Sequence, residues 1–206
     1  METWIFLRDL AQDYPMDPDY QQVQNYKELL VALRYVIPNP SERSKYAYYL
    51  DQTPVDPYLT NRLTFLSWIQ KGSNQLVSTL DVEHRILMDR IWSYLWAVGQ
   101  AYPNQPNFQE VLFYKNFFLT LENTLPGAVN RRVYVGVTHQ VPVDRFLTSR
   151  TNLVKWLRIV HYHMTAQPPE ADSIVEHFGV GHVRRHSAAY ASVVLLGCAV
   201  LLYLTR

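Results

Sequence analysis

Cysteine is nearly missing from this chain: Cys198 stands alone among 206 residues. One thiol cannot close an intrachain disulfide, so a disulfide-stapled secreted scaffold is excluded. Glycine is scarce, at seven residues, and the sequence has no phosphate-cradling loop, no GxSxG elbow and no HExxH pair. An excess of charge is lacking too. A formal net charge of +1 leaves no basic field for nucleic acid and no acidic tail for a basic partner. The opening METWIFLRDLAQDY carries Glu2 and Asp9 and no apolar h-region, which argues against a cleavable signal peptide. Alternation of the strand kind is confined to VYVGV at 133–137.

Aromatic rings are plentiful: 14% of residues, fifteen of them tyrosine. That composition suits a packed core with amphipathic rings near its surface and excludes a disordered chain. Near the C-terminus, residues 188–204 read AAYASVVLLGCAVLLYL without a charge, after Arg184, Arg185 and His186. About 17 to 25 apolar residues can cross a bilayer, whereas a helix packed on a soluble domain keeps a polar stripe. A transmembrane tail anchor is therefore expected here, carried by Ala188, Val193, Leu195, Leu196, Val200, Leu201 and Leu204. The basic flank predicts that the N-terminal bulk stays cytosolic. Upstream, 167–187 reads as a juxtamembrane linker around Pro168-Pro169. His177, His182 and His186 lie in that linker, where contact with anionic headgroups is the simpler reading than a zinc site with Glu176.

The chain repeats itself. Shifted by 88 positions, residues 4–77 align with 92–165 without a gap. Trp4 meets Trp92, Tyr14-Pro15 meets Tyr102-Pro103, and Tyr26-Lys27 meets Tyr114-Lys115. Pro38, Arg43 and Tyr46 meet Pro126, Arg131 and Tyr134; Pro54-Val55-Asp56 meets Pro142-Val143-Asp144. Arg62 and Trp68 meet Arg150 and Trp156. Within each copy the apolar spacing is helical. Trp4, Leu7 and Leu10-Ala11 predict a first helix; Tyr26, Leu29-Leu30, Leu33 and Ile37 a second, stopped before Pro38. Residues 40–50 predict a short third, and Leu59, Leu63, Leu66 and Ile69 a fourth. The register of the repeat places VYVGV on a third helix, against its strand-like propensity. The expected fold class is all-α, with repeats at 1–80 and 81–166 packed face to face as a pseudo-dimer.

The order Trp4-x-x-Leu7, Tyr14-Pro15, Tyr26-x-x-x-Leu30, a proline-led four-residue motif, Arg43-x-x-Tyr46, then Arg62 to Trp68 and Asn74, resembles the Erv/Alr sulfhydryl oxidases. The resemblance implies a four-helix FAD-binding bundle with a short fifth helix and a Cys-x-x-Cys pair opening its third helix. The first cysteine position holds Asn39 and, in the second copy, Gly127; the second holds Glu42 and Asn130. The family's flavin-holding histidine after Trp-x-x-Leu corresponds to Arg8 and Trp96, and its His-Asn pair to Ser73-Asn74 and His161-Tyr162. An amide or a carboxylate cannot replace a thiolate in dithiol exchange. Neither catalytic residues, nor a cofactor, nor a metal, nor a small-molecule substrate are therefore expected. Arg43, Arg131, Arg62 and Arg150 are read as structural cations that pair with carboxylates or cap helix ends.

The function expected from the sequence is that of a non-enzymatic, membrane-anchored structural protein. It would be a minor virion component linking an inner membrane to the capsid shell, its partners a lipid membrane and capsid proteins. The alternative is an accessory subunit of a thiol-oxidation pathway that binds FAD or pairs with an active oxidase.

Overall fold

A computed structural model of the chain describes residues 2–73 and 84–165. Among these residues there are α-helices and two short 3-10 turns, and no strand. The elements are α1 (Glu2–Ala11), α2 (Tyr20–Val36), α3 (Pro40–Gln52), α4 (Arg62–Ser73), α5 (His84–Ala101), α6 (Phe108–Thr124), α7 (Ala128–Gln140) and α8 (Arg150–Thr165). The 3-10 turns, Asp56–Tyr58 and Val143–Phe146, precede α4 and α8.

Local chemistry explains where these helices begin and end. A capping box opens α2: Asp19 accepts from the Gln22 N–H at 2.8 Å while Gln22 accepts from the Asp19 N–H at 2.9 Å. Asn107 and Glu110 repeat that exchange at the start of α6. Both helices stop one residue before a proline, at caps Ile37 and Leu125, because the residue before proline avoids the helical region. The 133–137 segment is helical, inside α7. Its valines have strand propensity, but Tyr134 is buried and donates to the Phe118 carbonyl at 2.9 Å. Tertiary packing overrides the propensity. One boundary differs from the periodicity. Leu59 lies in the turn before α4, since the side chain of Asn61 accepts from the Thr64 N–H at 3.0 Å and starts the helix there.

Several closing bonds occur twice, 88 residues apart. The Tyr14 hydroxyl donates to the Leu59 carbonyl at 2.7 Å, and Tyr102 to Leu147 at 2.8 Å. Tyr46 donates to Leu30, and Tyr134 to Phe118, each at 2.9 Å. The Trp68 indole donates to Thr53 at 2.9 Å, and Trp156 to Val141 at 2.8 Å. Ion pairs Lys27–Asp56 and Lys115–Asp144 fasten the 3-10 turns to α2 and α6. Hydrogen bonding by Lys27 holds the Asp56 carboxyl below the ordinary carboxylate value.

The most extensive helix contact is α2 against α6, and α1 lies against both α4 and α5. Phe6 stacks on Tyr94 with centroids 4.2 Å apart and touches Phe117 at 6.2 Å. Burial of such rings contributes about 2–3 kcal/mol each. Asp9 is buried, 1% exposed, within this contact, and its carboxylate accepts from Arg90 on α5 at 2.7 and 2.8 Å. Arg8 joins the same carboxylate at 3.1 Å. A buried acid persists only when so paired.

The expectation of a single-pass membrane protein is corrected. Among the described residues, no helix is long and apolar enough to cross a membrane. The physical reason lies in their mixed composition: α5, the longest at 18 residues, carries Asp89 and Arg90 among its apolar residues. Ala188, Val193, Leu195, Leu196, Val200, Leu201 and Leu204, together with the linker histidines, lie outside the described residues.

Candidate functional site

The positions where the resemblance places a dithiol are the N-termini of α3 and α7. Asn39 is the N-cap of α3: its side-chain oxygen accepts from the Glu42 N–H at 3.1 Å, and Pro40 follows at the first helical position. The Glu42 carboxylate in turn accepts from the Thr3 backbone N–H at 3.3 Å, tying α3 to the start of α1. Such a helix terminus would favour a thiolate over a thiol. Here an amide oxygen uses the same field to cap the helix.

The second copy solves the same terminus differently. Gly127 has φ 81°, a left-handed conformation open mainly to glycine, and offers no side-chain cap. Its N–H donates instead to Asp13 at 3.0 Å, and the Arg131 guanidinium donates to that carboxylate at 2.6 Å. Asn130 donates to the Pro126 carbonyl at 2.7 Å. The four residues in question thus serve backbone geometry, two of them in each copy.

The four arginines are structural as well. Arg43 donates twice to the Ile37 carbonyl, at 2.8 and 2.6 Å, and Arg131 to the Leu125 carbonyl at 2.7 Å, closing the ends of α2 and α6. Arg62 and Arg150 each donate through Nε, at 2.7 Å, to the carbonyls of Tyr14 and Tyr102.

Behind the α3 terminus, the bundle interior is filled by rings. Trp4 meets Tyr46 at 5.5 Å, Tyr49 at 5.4 Å and Trp68 at 5.9 Å, and Gly72 lies directly under the Trp4 indole. Burial drives the Tyr46 hydroxyl well above its ordinary value and pushes Tyr49 up to about 12. In the second copy, His161 sits edge-on to Trp92 at 4.8 Å and near Trp96 at 5.9 Å, while Tyr162 is 62% exposed. His163 lies edge-on to Tyr162 at 5.5 Å, and no group of His, Cys, Asp or Glu among the described residues is arranged to hold a metal.

A protein of Acanthamoeba polyphaga mimivirus named as a probable FAD-linked sulfhydryl oxidase is 35% identical over 71 residues, 34% of this chain and 50% of the relative. The chain thus spans about half the length of that relative. No family model matches the sequence, and no solved structure matches it. The likeness supports a distant Erv/Alr-like relationship.

The residues present do not fit the flavin that this relationship implies. At the histidine position after Trp-x-x-Leu, Arg8 is bound to Asp9 and Trp96 faces His161. Beside α3, the rings of Trp4, Tyr46, Tyr49 and Trp68 pack against one another. Every buried side-chain nitrogen and oxygen among the described residues has a hydrogen-bond partner within the protein, so no donor set is left converging on an absent ligand.

Sequence reading missed Asp9 and Asp13, the two acids that α1 and its following turn offer to the second copy. A signal was present. The repeat aligns these acids with Ala97 and Ala101, so each breaks the match with a charge on an otherwise apolar face.

Proposed function

We propose that this chain is a non-catalytic accessory subunit of a thiol-oxidation pathway, one that pairs with a cysteine-bearing Erv/Alr-like oxidase. Its two repeats act together as an intrachain pseudo-dimer, with α1 and α2 facing α5 and α6. The observation carrying this reading is the pairing of an oxidase-like sequence with dithiol positions given over to helix termini. Asn39 caps α3, Gly127 turns into α7, and neither repeat contains a sulfur atom that could exchange. The lone Cys198 lacks an intrachain partner, so the chain by itself cannot cycle between dithiol and disulfide. The similarity to a viral protein named as an oxidase favours this reading over the virion scaffold expected from sequence, which no observation on the described residues favours.

The test mixes the full-length chain with a cysteine-bearing Erv/Alr-like oxidase from the same source. Complex formation is followed by sedimentation and dithiol oxidation by oxygen uptake. A defined complex is expected, with oxidation by the mixture differing from that by the oxidase alone and none by this chain alone. Dithiol oxidation by the chain alone, or failure of the two proteins to associate, would overturn the proposal.

A further inference from the structure

Where α2 and α6 meet, the two repeats leave a groove of about 820 Å³ on the surface. Ten of its twelve lining residues form five pairs 88 positions apart, Val31 with Leu119 and Ala32 with Thr120 among them. Each repeat thus contributes the same helix face. Tyr35, near the end of α2, stacks on Phe113, near the start of α6, with centroids 3.7 Å apart, so the helices run antiparallel.

Ala32 and Thr120 are buried at the base of the groove, whereas Val31 is 54%, Leu119 40% and Tyr35 38% exposed along it. Phe108 and Leu112 are exposed as well, and positions 108, 112 and 119 fall on one stripe of α6. The two ends are unlike. Tyr35 and Phe113, with Leu112 beside them in sequence, make one end apolar, while Asn25, Glu122 and Asn123 make the other polar. Contiguous apolar exposure of this kind marks a contact surface, which singly scattered side chains do not.

We infer that a second copy of this chain covers the groove, laying its own α2 and α6 on this pair to complete a four-helix layer. A face shared equally by two repeats closes with a copy of itself into a dihedral arrangement of four repeats, a common closed symmetry. The area suffices. Each helix has 17 residues; that is about 25 Å, and two abreast are about 20 Å wide, an outline of about 500 Å². Side-chain relief carries the accessible area above that outline, toward the roughly 800 Å² per partner of a stable dimer. Polarity then picks the axis. A twofold along the groove sets apolar end on apolar end and α2 on the α6 of the second copy, whereas one across it would set Tyr35 on the polar end. Along the groove, Val31 meets Leu119 of the second copy, and Glu28 faces the Asn123 amide. Glu122 is drawn toward α7 by the Thr138 hydroxyl at 2.8 Å, away from the incoming Glu28. The inference goes beyond pairing with an oxidase and rests only on the packing of the repeats within one chain.

Sedimentation equilibrium of the full-length chain tests it, and a dimer is expected. Leu119→Glu and Val31→Lys should each raise the dissociation constant about a hundredfold, because each buries a charge without a partner. Both positions are exposed in the single chain, so helical circular dichroism should stay unchanged. Leu63→Glu, at an exposed position of α4 outside the groove, should leave the dimer intact. Mixing Leu119→Glu chains with Val31→Lys chains should restore association, since the axis sets position 31 beside position 119 of the other copy. A monomeric wild-type chain, a dimer that survives Leu119→Glu, equal loss with Leu63→Glu, or a mixture that stays monomeric would each overturn the assignment. A wild-type monomer that binds an oxidase through this groove would overturn it too and leave the oxidase pairing standing, so the two proposals fail separately.

Discussion

The first repeat and the second share a skeleton and differ in what fills it. Tyrosine-to-carbonyl, indole-to-carbonyl and lysine-to-aspartate bonds recur 88 residues apart with nearly the same lengths. Around Trp4 the first repeat builds a four-ring cluster; the second has Val137 where Tyr49 stands and a histidine between two indoles. Asp9 and Asp13 of the first copy bond to Arg90 and Arg131 of the second, while alanines stand at the corresponding second-copy positions. The comparison teaches that bonds closing the backbone recur in both copies. Side chains at the positions where the resemblance would put a dithiol, and on the facing surface, differ between the copies and serve separate structural tasks.

Alkali should act on both repeats at once and so have the largest effect. Burial pushes Tyr14, Tyr49, Tyr102 and Tyr114 up from the ordinary 10.0 to about 12. A hydroxyl whose folded pKa is raised contributes stability that is fully present below the unfolded pKa and is lost as pH rises through the folded one. Stability should therefore fall between pH 10 and about 12, with the last of the tyrosinate absorbance appearing together with the loss of helical circular dichroism. Ionisation of every tyrosine near pH 10 with helicity intact would contradict the burial of these rings.

Next come the paired indoles. Removal of a buried tryptophan costs about 3–5 kcal/mol, and Trp68→Ala should lie at the upper end because Trp4, Tyr49 and Phe65 all touch it. Trp156→Ala should cost less, since among the described residues Phe118 alone brings a ring against that indole. Urea denaturation of both variants checks the order, and the reverse order would break the comparison. Asp9→Ala should follow at about 1–3 kcal/mol, because the arginines left behind are partly exposed and recover water. A combined Asp9→Ala and Arg90→Ala variant should lose less than the sum of the two single losses.

The glycines give the smallest contrast. A methyl group at Gly72 would enter the rigid Trp4 ring, so Gly72→Ala should destabilise by about 1–3 kcal/mol. At Gly99 the same methyl meets the flexible end of Leu157, and the first repeat already holds Ala11 at that position. Gain in helix propensity, about 1 kcal/mol, offsets the displacement there and leaves Gly99→Ala near neutral in thermal melts.

Much of the helix pattern was legible because the repeat supplies each position twice. Tyr134 told against a strand at 133–137 once it was aligned with Tyr46. Arg43 and Arg62 could be read as structural because their counterparts recur with the same neighbours. By contrast, Leu59 continued the periodicity of α4 one turn too far, although Asn61 carried the capping signal. The Asp9–Arg90 pair spans 81 residues, and no local pattern announces a partner that distant.

The proposed reading is of a helical scaffold that binds no flavin and carries no redox dithiol. It is tested most directly by incubating the full-length chain with FAD, removing free flavin by gel filtration, and recording the visible spectrum. The account predicts no retained flavin bands and no change in melting temperature at saturating FAD. Stoichiometric flavin travelling with the protein would contradict it, and would mean that the rings around Trp4 or Trp92 part to admit an isoalloxazine.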